Sequence, residues 1–180
     1  MNHLHLAETI SVTSAEAIDW DEAYAQFLPR IYNFCLYKVG DRAAAEDLTS
    51  TTFIEVWRCR HRYVAAKGAL STWMFSIAHR VVAQHYRRRR ARELPLAEAG
   101  GLAAEGDVAA QAERRADIAR LVERLGGLSE RDHDLIALKY GAQLTNRDIA
   151  QLVGLSESNV GTILHRLVGR LRRELGENHE

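Results

Sequence analysis

The sequence predicts an all-α fold, two small helical domains joined by a flexible linker. Three observations carry this. The 180-residue chain has only two prolines, and long stretches are rich in Ala, Leu, Arg and Glu, which favour helix. Apolar residues recur at three- and four-residue spacing, with no strand-like alternation and no internal repeat. Between about 93 and 107 this pattern lapses into a stretch holding Pro95, Gly100, Gly101 and Gly106, the composition of a linker.

In the first block, residues Trp20 to Val39 read as an amphipathic helix with Tyr24, Phe27, Leu28, Ile31, Phe34 and Cys35 on one face. Gly40 ends it and Asp41 caps the next. That second helix runs from Arg42 to about Arg60. Its expected apolar face is Ala45, Leu48, Thr52, Phe53, Val56 and Trp57, with Glu46, Asp47 and Glu55 opposite. Residues 59–70 lack sustained periodicity and read as a loop. Ser71 is the expected N-cap of a third helix, Thr72 to about Arg90, with Trp73, Met74, Ile77, Ala78, Val81 and Val82 as its buried stripe.

The second block predicts four helices. The first spans about Val108 to Leu125 and stops at Gly126 and Gly127. The second starts at the box Ser129/Asp132 and runs to Tyr140. The third starts at the box Thr145/Asp148 and ends at Gly154. The fourth runs from Ser156 to about Leu175. Each box lets a hydroxyl accept from an otherwise unpaired N–H at a helix start.

Lys and Arg number 24, as do Asp and Glu, but the zero sum hides segregation. "HYRRRRAR" (85–92) and "HRLVGRLRREL" (165–175) are basic, and the segment 93–113 between them is acidic. No apolar run approaches the roughly 20 residues of a membrane span, so no membrane contact is expected. The N-terminus lacks a basic stretch followed by an apolar core, which points to the cytoplasm. No glycine-rich nucleotide loop or catalytic carboxylate pair is present, so neither an enzyme nor a cofactor is expected. Cys35 and Cys59 read as buried thiols, with a redox or metal pair as the alternative. His61, His79, His85 and His165 lie beside Arg-rich segments, where a solvated or phosphate-contacting role outranks metal ligation.

The stretch "LTNRDIAQLVGLSESNVGTILHRL" (144–167) fits a helix-turn-helix. Such a motif needs a small residue in the first helix, a residue tolerant of positive φ in the turn, and an apolar residue facing back from the second helix. Ala150, Gly154 and Val160 fill these places, with Ile149, Val153, Leu155, Leu164 and Leu167 as core. The second helix enters the major groove by its N-terminal end. Ser156, Ser158, Asn159 and Thr162 are therefore candidate base or phosphate contacts, and Arg147, His165, Arg166 and Arg170 candidate phosphate contacts. The alternative is a helical hairpin that binds nothing, its arginines a solvated face.

In the first block, aromatics are interleaved with cations, which suits single-stranded DNA: bases stack on rings while cations follow the backbone. The candidates are His61, Arg62, Tyr63 and Lys67 in the loop and Arg80, Gln84 and Arg87 on the helix. Trp73 reads as core. A solvated helix end or a general nucleic-acid patch is the alternative reading of the Arg run.

These motifs resemble bacterial RNA polymerase sigma factors of the extracytoplasmic-function type, group 4 of the sigma-70 superfamily. "GDRAAAEDLTSTTFIEVWRCRHRY" and "STWMFSIAHRVVAQHYRRRR" are similar to the family's region 2. "LSERDHDLIALKYGAQLTNRDIAQLVGLSESNVGTILHRLVGRLRREL" is similar to its region 4. The resemblance implies a region 2 three-helix bundle over 20–92, a linker over 93–107, and a region 4 four-helix domain over 108–176. It implies docking on core RNA polymerase through Asp47, Leu48, Thr51 and Glu55, with Phe53 and Trp57 supporting that helix from inside the fold. The loop and third helix would capture the promoter −10 element as single strand, the helix-turn-helix would read the −35 duplex, and an anti-sigma factor would hold the chain inactive. Two departures stand out. Ser50-Thr51 occupies a place where the family often has Gln followed by an acid, and Gly161 and Ile163 occupy recognition-helix positions often filled by Lys and Arg. The competing classes are a stand-alone helix-turn-helix regulator with an N-terminal sensor or dimerisation domain, and a decoy that binds no DNA.

Overall fold

Asp19 starts the first helix, its carboxylate accepting from the N–H groups of Asp21 and Glu22 at 3.0 Å each. This is a side-chain cap on otherwise orphaned donors. The computed structural model describes residues 18–92 and 128–176. The expected linker and the helix expected over 108–125 lie outside the described residues.

Helix α1 (Trp20–Val39) closes on Gly40 at φ 70°, whose N–H reaches the Leu36 carbonyl. This is the left-handed C-terminal cap that glycine adopts without a Cβ clash. Helix α2 (Arg42–Cys59) begins at Asp41, whose carboxylate accepts from Ala44 N–H at 2.7 Å. Two short 3-10 turns, Arg60–Arg62 and Ala65–Lys67, fill the expected loop. Helix α3 (Leu70–Arg92) starts two residues before the expected point. Ser71 is inside it, and Trp73 N–H already bonds the Ala69 carbonyl. Leu70 packs on the core, and that anchor draws the helix start forward of the serine.

In the second block, α4 (Glu130–Ile136) is capped by Ser129. It does not run on as an α-helix to Tyr140: residues Ala137–Gly141 widen into a π-helical turn closed by Ala142 N–H on the Ala137 carbonyl. Gln143 follows at φ 55°, a left-handed conformation uncommon outside glycine. Helix α5 (Asn146–Val153) is capped by Thr145 and ends at Gly154, φ 69°. Helix α6 (Glu157–Gly176) follows, its cap Ser156 accepting from Asn159 N–H.

The two blocks share one hydrophobic core. Phe34, Cys35 and Phe75 from the first and Leu135, Leu138, Ile149 and Val160 from the second are all fully buried. Polar groups pin this join. Arg30 donates to the Ala142 carbonyl at 2.8 Å and the Gln143 carbonyl at 3.3 Å, holding the unusual Gln143 backbone. Its guanidinium also lies over the rings of Phe27 and Phe75. Lys38, with a side chain only 5% exposed, pairs with Asp134 at 2.5 Å. His79 donates to the other oxygen of Asp134 at 3.1 Å, and His133 donates to the Tyr37 carbonyl at 2.6 Å. Thr72 donates to Asp148 at 3.1 Å. His79, its side chain 41% exposed, is therefore at once a partner of a half-buried carboxylate and in contact with solvent.

Candidate nucleic-acid interface

The helix-turn-helix is α5, the turn at Gly154 and α6. Ala150 and Val160 are buried at its waist, with Ile149, Leu164 and Leu167, while Val153 and Leu155 are partly buried against the core. This packing turns the opposite side of α6 outward. Ser156, Ser158, Asn159, Thr162, His165 and Arg166 are exposed, and so is Arg147 on α5. Arg170 is half-buried. Two polar groups are partly engaged: Ser156 caps the helix, and Thr162 donates to the Ser158 carbonyl at 3.0 Å. The exposed end thus presents short hydrogen-bonding side chains flanked by cations, the set that reads base edges and phosphates.

Gly161 faces inward rather than toward a ligand: a Cβ there would meet the Asn146 amide nitrogen at 3.4 Å. Asn146, Lys139, His165 and Arg172 line a shallow groove of about 300 Å³ beside it. Lys139 and Arg172 were not singled out in the sequence, because they come from different helices and meet only in the fold.

On α3, Arg80, Gln84 and Arg87 are exposed at i, i+4 and i+7, a single cationic stripe. His61, Arg62 and Lys67 in the preceding turns are exposed as well. Tyr63 is not part of this surface. It is 6% exposed, its ring packs tilted against Trp73 at 5.5 Å between centroids, and its hydroxyl donates to the Gly68 carbonyl at 3.1 Å. The loop is too short to project the ring, so Tyr63 closes the loop on the core instead.

On α2, Asp47 and Thr51 are exposed and Glu55 half-exposed. Leu48 is 6% exposed and belongs to the core, one position round the helix from the outward stripe. Trp57 reverses its expected place: it is 54% exposed, as is Ile54 at 52%. The Arg60 guanidinium covers one Trp57 face at 3.9 Å. Trp57, Trp20, Tyr24 and Phe53 border an open apolar groove of about 170 Å³. The sequence signal for this was the spacing itself: 47, 51, 54 and 58 fall on the side opposite Leu48, Thr52 and Val56.

Burial sets the titration of the core groups. It pushes the Cys35 thiol up to about 12, only partly opposed by the Thr49 hydroxyl, so Cys35 is an inert core thiol. Cys59 is half-exposed and unpaired. Burial, with the Lys38 charge, lowers His133 below its ordinary value against the pull of the Tyr37 carbonyl. Burial pushes Asp134 upward, but the His79 hydrogen bond and Lys38 outweigh it and hold the carboxyl below its ordinary value. Among the described residues no His, Cys, Asp and Glu cluster could hold a metal, and no helix is long and apolar enough to cross a membrane.

Two family models match in order: Sigma-70 region 2 over residues 23–92 and Sigma-70, region 4 over residues 118–171. The ECF RNA polymerase sigma factor BldN of Streptomyces coelicolor is 26% identical over 92% of this chain, which spans 63% of that relative's length. The ECF RNA polymerase sigma factor SigK of Mycobacterium ulcerans is 29% identical, over 84% of this chain and 83% of its own. Two solved structures share the fold. CnrH, in complex with the cytosolic domain of CnrY, aligns at TM-score 0.68 and 18% identity over 92% of this chain and 94% of its own. RpoE, in complex with the anti-sigma factor NepR from Bartonella quintana, aligns at TM-score 0.66 and 19% identity, covering 89% and 99%.

Proposed function

The chain belongs to the sigma-70 family, in its extracytoplasmic-function branch, and we propose that its two blocks divide the family's task. It is a dissociable initiation subunit without catalysis of its own, acting in the cytoplasm. The first block docks on core RNA polymerase and captures the −10 element. The second reads the −35 element. The observation that carries this is the pairing, in one chain, of a cationic stripe with a second, hydrogen-bonding surface flanked by cations. One is the α3 stripe of Arg80, Gln84 and Arg87 beside the loop cations; the other is the exposed N-terminal end of α6.

The polymerase-facing surface is the outward side of α2: Asp47, Thr51 and Glu55, joined by Ile54 and Trp57. An exposed tryptophan and isoleucine beside an apolar groove mark a partner surface, since aromatic anchors dominate binding energy. Control by an anti-sigma factor is supported by RpoE, whose fold this chain shares and which was solved in complex with the anti-sigma factor NepR.

The decisive experiment adds the purified chain to core polymerase and assays transcription from a panel of promoters. Promoter-dependent transcripts that vanish with Ile54→Arg or Trp57→Ala are expected. No stable polymerase complex and no promoter-dependent transcript would overturn the reading.

A further inference from the structure

The outward side of α2 ends on a tryptophan that does not stand free. Trp57 is 54% exposed, and the guanidinium carbon of Arg60 lies 3.9 Å from its ring centroid. Arg60 Nη1 also donates to the Trp57 carbonyl at 2.7 Å. One side chain thus holds both the backbone and the ring of the same residue. We propose that Arg60 is a positioning residue for polymerase docking: it fixes the Trp57 indole in the pose that meets the polymerase. The inference rests on the functional reading of α2 above.

The local backbone explains the fit. Helix α2 ends at Cys59, and Arg60–Arg62 tightens into a 3-10 turn. The Arg60 N–H bonds the Trp57 carbonyl, a three-residue closure in place of the α-helical four. In such a turn the side chains of residues i and i+3 stand one above the other, which brings Arg60 over Trp57. The neighbouring cation on α2 is committed elsewhere: Arg58 pairs with Glu55 at 2.8 Å.

Held in this way, the indole has a guanidinium against its ring and still borders the apolar groove with Trp20, Tyr24 and Phe53. The Tyr24 and Phe53 rings, 4.6 Å apart between centroids, make that groove a firm wall. A large exposed side chain loses rotamer freedom when a partner captures it, and fixing it beforehand removes that cost from binding. The guanidinium suits the task because it is planar: it stacks on a ring by its face and donates hydrogen bonds from its edge. A lysine ammonium is a point charge with no face to stack.

Arg60→Ala should weaken binding of the full chain to core polymerase by about two- to fivefold, the worth of an exposed cation–π contact. Arg60→Lys should stay weakened although the charge is kept. In a Trp57→Ala background, Arg60→Ala should add nothing, because the ring it positions is gone. With fluorotryptophan incorporated, the Trp57 fluorine resonance, assigned by its loss in Trp57→Phe, should shift in Arg60→Ala while those of Trp20 and Trp73 hold. Wild-type affinity in Arg60→Ala, full rescue by lysine, an unmoved Trp57 resonance, or an equal loss in the Trp57→Ala background overturns the assignment. The last of these would mean that Arg60 touches the polymerase by itself. If Trp57→Ala leaves polymerase binding unchanged, the functional reading of α2 has failed and the positioning role falls with it. That result is distinct from a Trp57 loss in which Arg60 has no share.

Discussion

Gly141 lies against the backbone of Phe34: a Cβ in its place would stand 3.0 Å from the Phe34 Cα and 3.1 Å from both the Phe34 nitrogen and the Asn33 carbonyl oxygen. The neighbours are main chain, so neither can swing aside as a flexible side chain would. The glycine is what lets the second block seat on the first.

Gly141→Val should therefore wedge the blocks apart. Overpacking of this kind costs about 1–3 kcal/mol, which lowers the melting midpoint by roughly 3–10 °C for a domain of this size. Thermal unfolding followed by circular dichroism measures it. An unchanged midpoint would show that the seat is not tight.

The Lys38–Asp134 pair behaves differently when one partner goes than when both go. Lys38→Met leaves the Asp134 carboxylate, 19% exposed, with only His79 and partial solvent, a loss of about 3 kcal/mol. Lys38→Met with Asp134→Leu replaces the pair by apolar volume and should recover most of that loss. Urea unfolding of the two variants gives the comparison. Equal destabilisation by the single and double changes would mean the pair is not coupled.

How much of this was legible in the sequence follows from what kind of signal each feature carries. Periodicity and caps are local, so α1, α2, α5 and α6 and the caps Asp41, Ser129 and Thr145 could be read directly. The join between blocks was not. Lys38 and Asp134 are 96 residues apart and Arg30 and Ala142 are 112 apart, and no local pattern distinguishes a buried lysine from a solvated one. Tyr63 and Trp57 exchanged roles for a related reason. A cation-rich loop looked like a stacking platform and an apolar stripe looked like core. The core was already filled by Phe27, Phe34, Phe75 and Met74, which leaves Trp57 outside, and the short loop folds Tyr63 inward.

The fold should weaken in mild acid, and the sign follows from His133. Burial and the nearby Lys38 charge lower its pKa from 6.5 in the folded chain, so the folded form binds fewer protons than the unfolded one below that value. Its contribution to stability is then full above about 6.5 and falls as pH drops beneath it. Asp134, held below 3.8, adds a loss of the same sign at still lower pH. Urea unfolding at about pH 7.5 and 5.5 should show lower stability in acid, with a smaller difference in His133→Gln. An unchanged pH dependence in that variant would clear His133 of the effect.

Tyr63 should matter for stability and not for DNA. Tyr63→Phe loses one hydrogen bond to the Gly68 carbonyl, about 1 kcal/mol, and Tyr63→Ala empties a core site at about 3 kcal/mol. Single-stranded −10 binding by the holoenzyme should be unchanged in Tyr63→Phe and weakened in Arg80→Ala and Arg87→Ala. Equal loss in all three would return Tyr63 to the DNA surface.

On α6, Asn159 and Arg166 are both exposed but differ in what they can report. An amide matches donor and acceptor together on one base edge, so Asn159→Ala should cost about 1–3 kcal/mol on the preferred −35 sequence and little on others. A guanidinium on a phosphate reads charge alone. Arg166→Ala should weaken every sequence about equally and reduce the salt slope of binding by about one. Holoenzyme affinities across −35 variants at several salt concentrations separate the two. A uniform loss with Asn159→Ala would place that side chain on the backbone, and a sequence-dependent loss with Arg166→Ala would place the arginine in the groove.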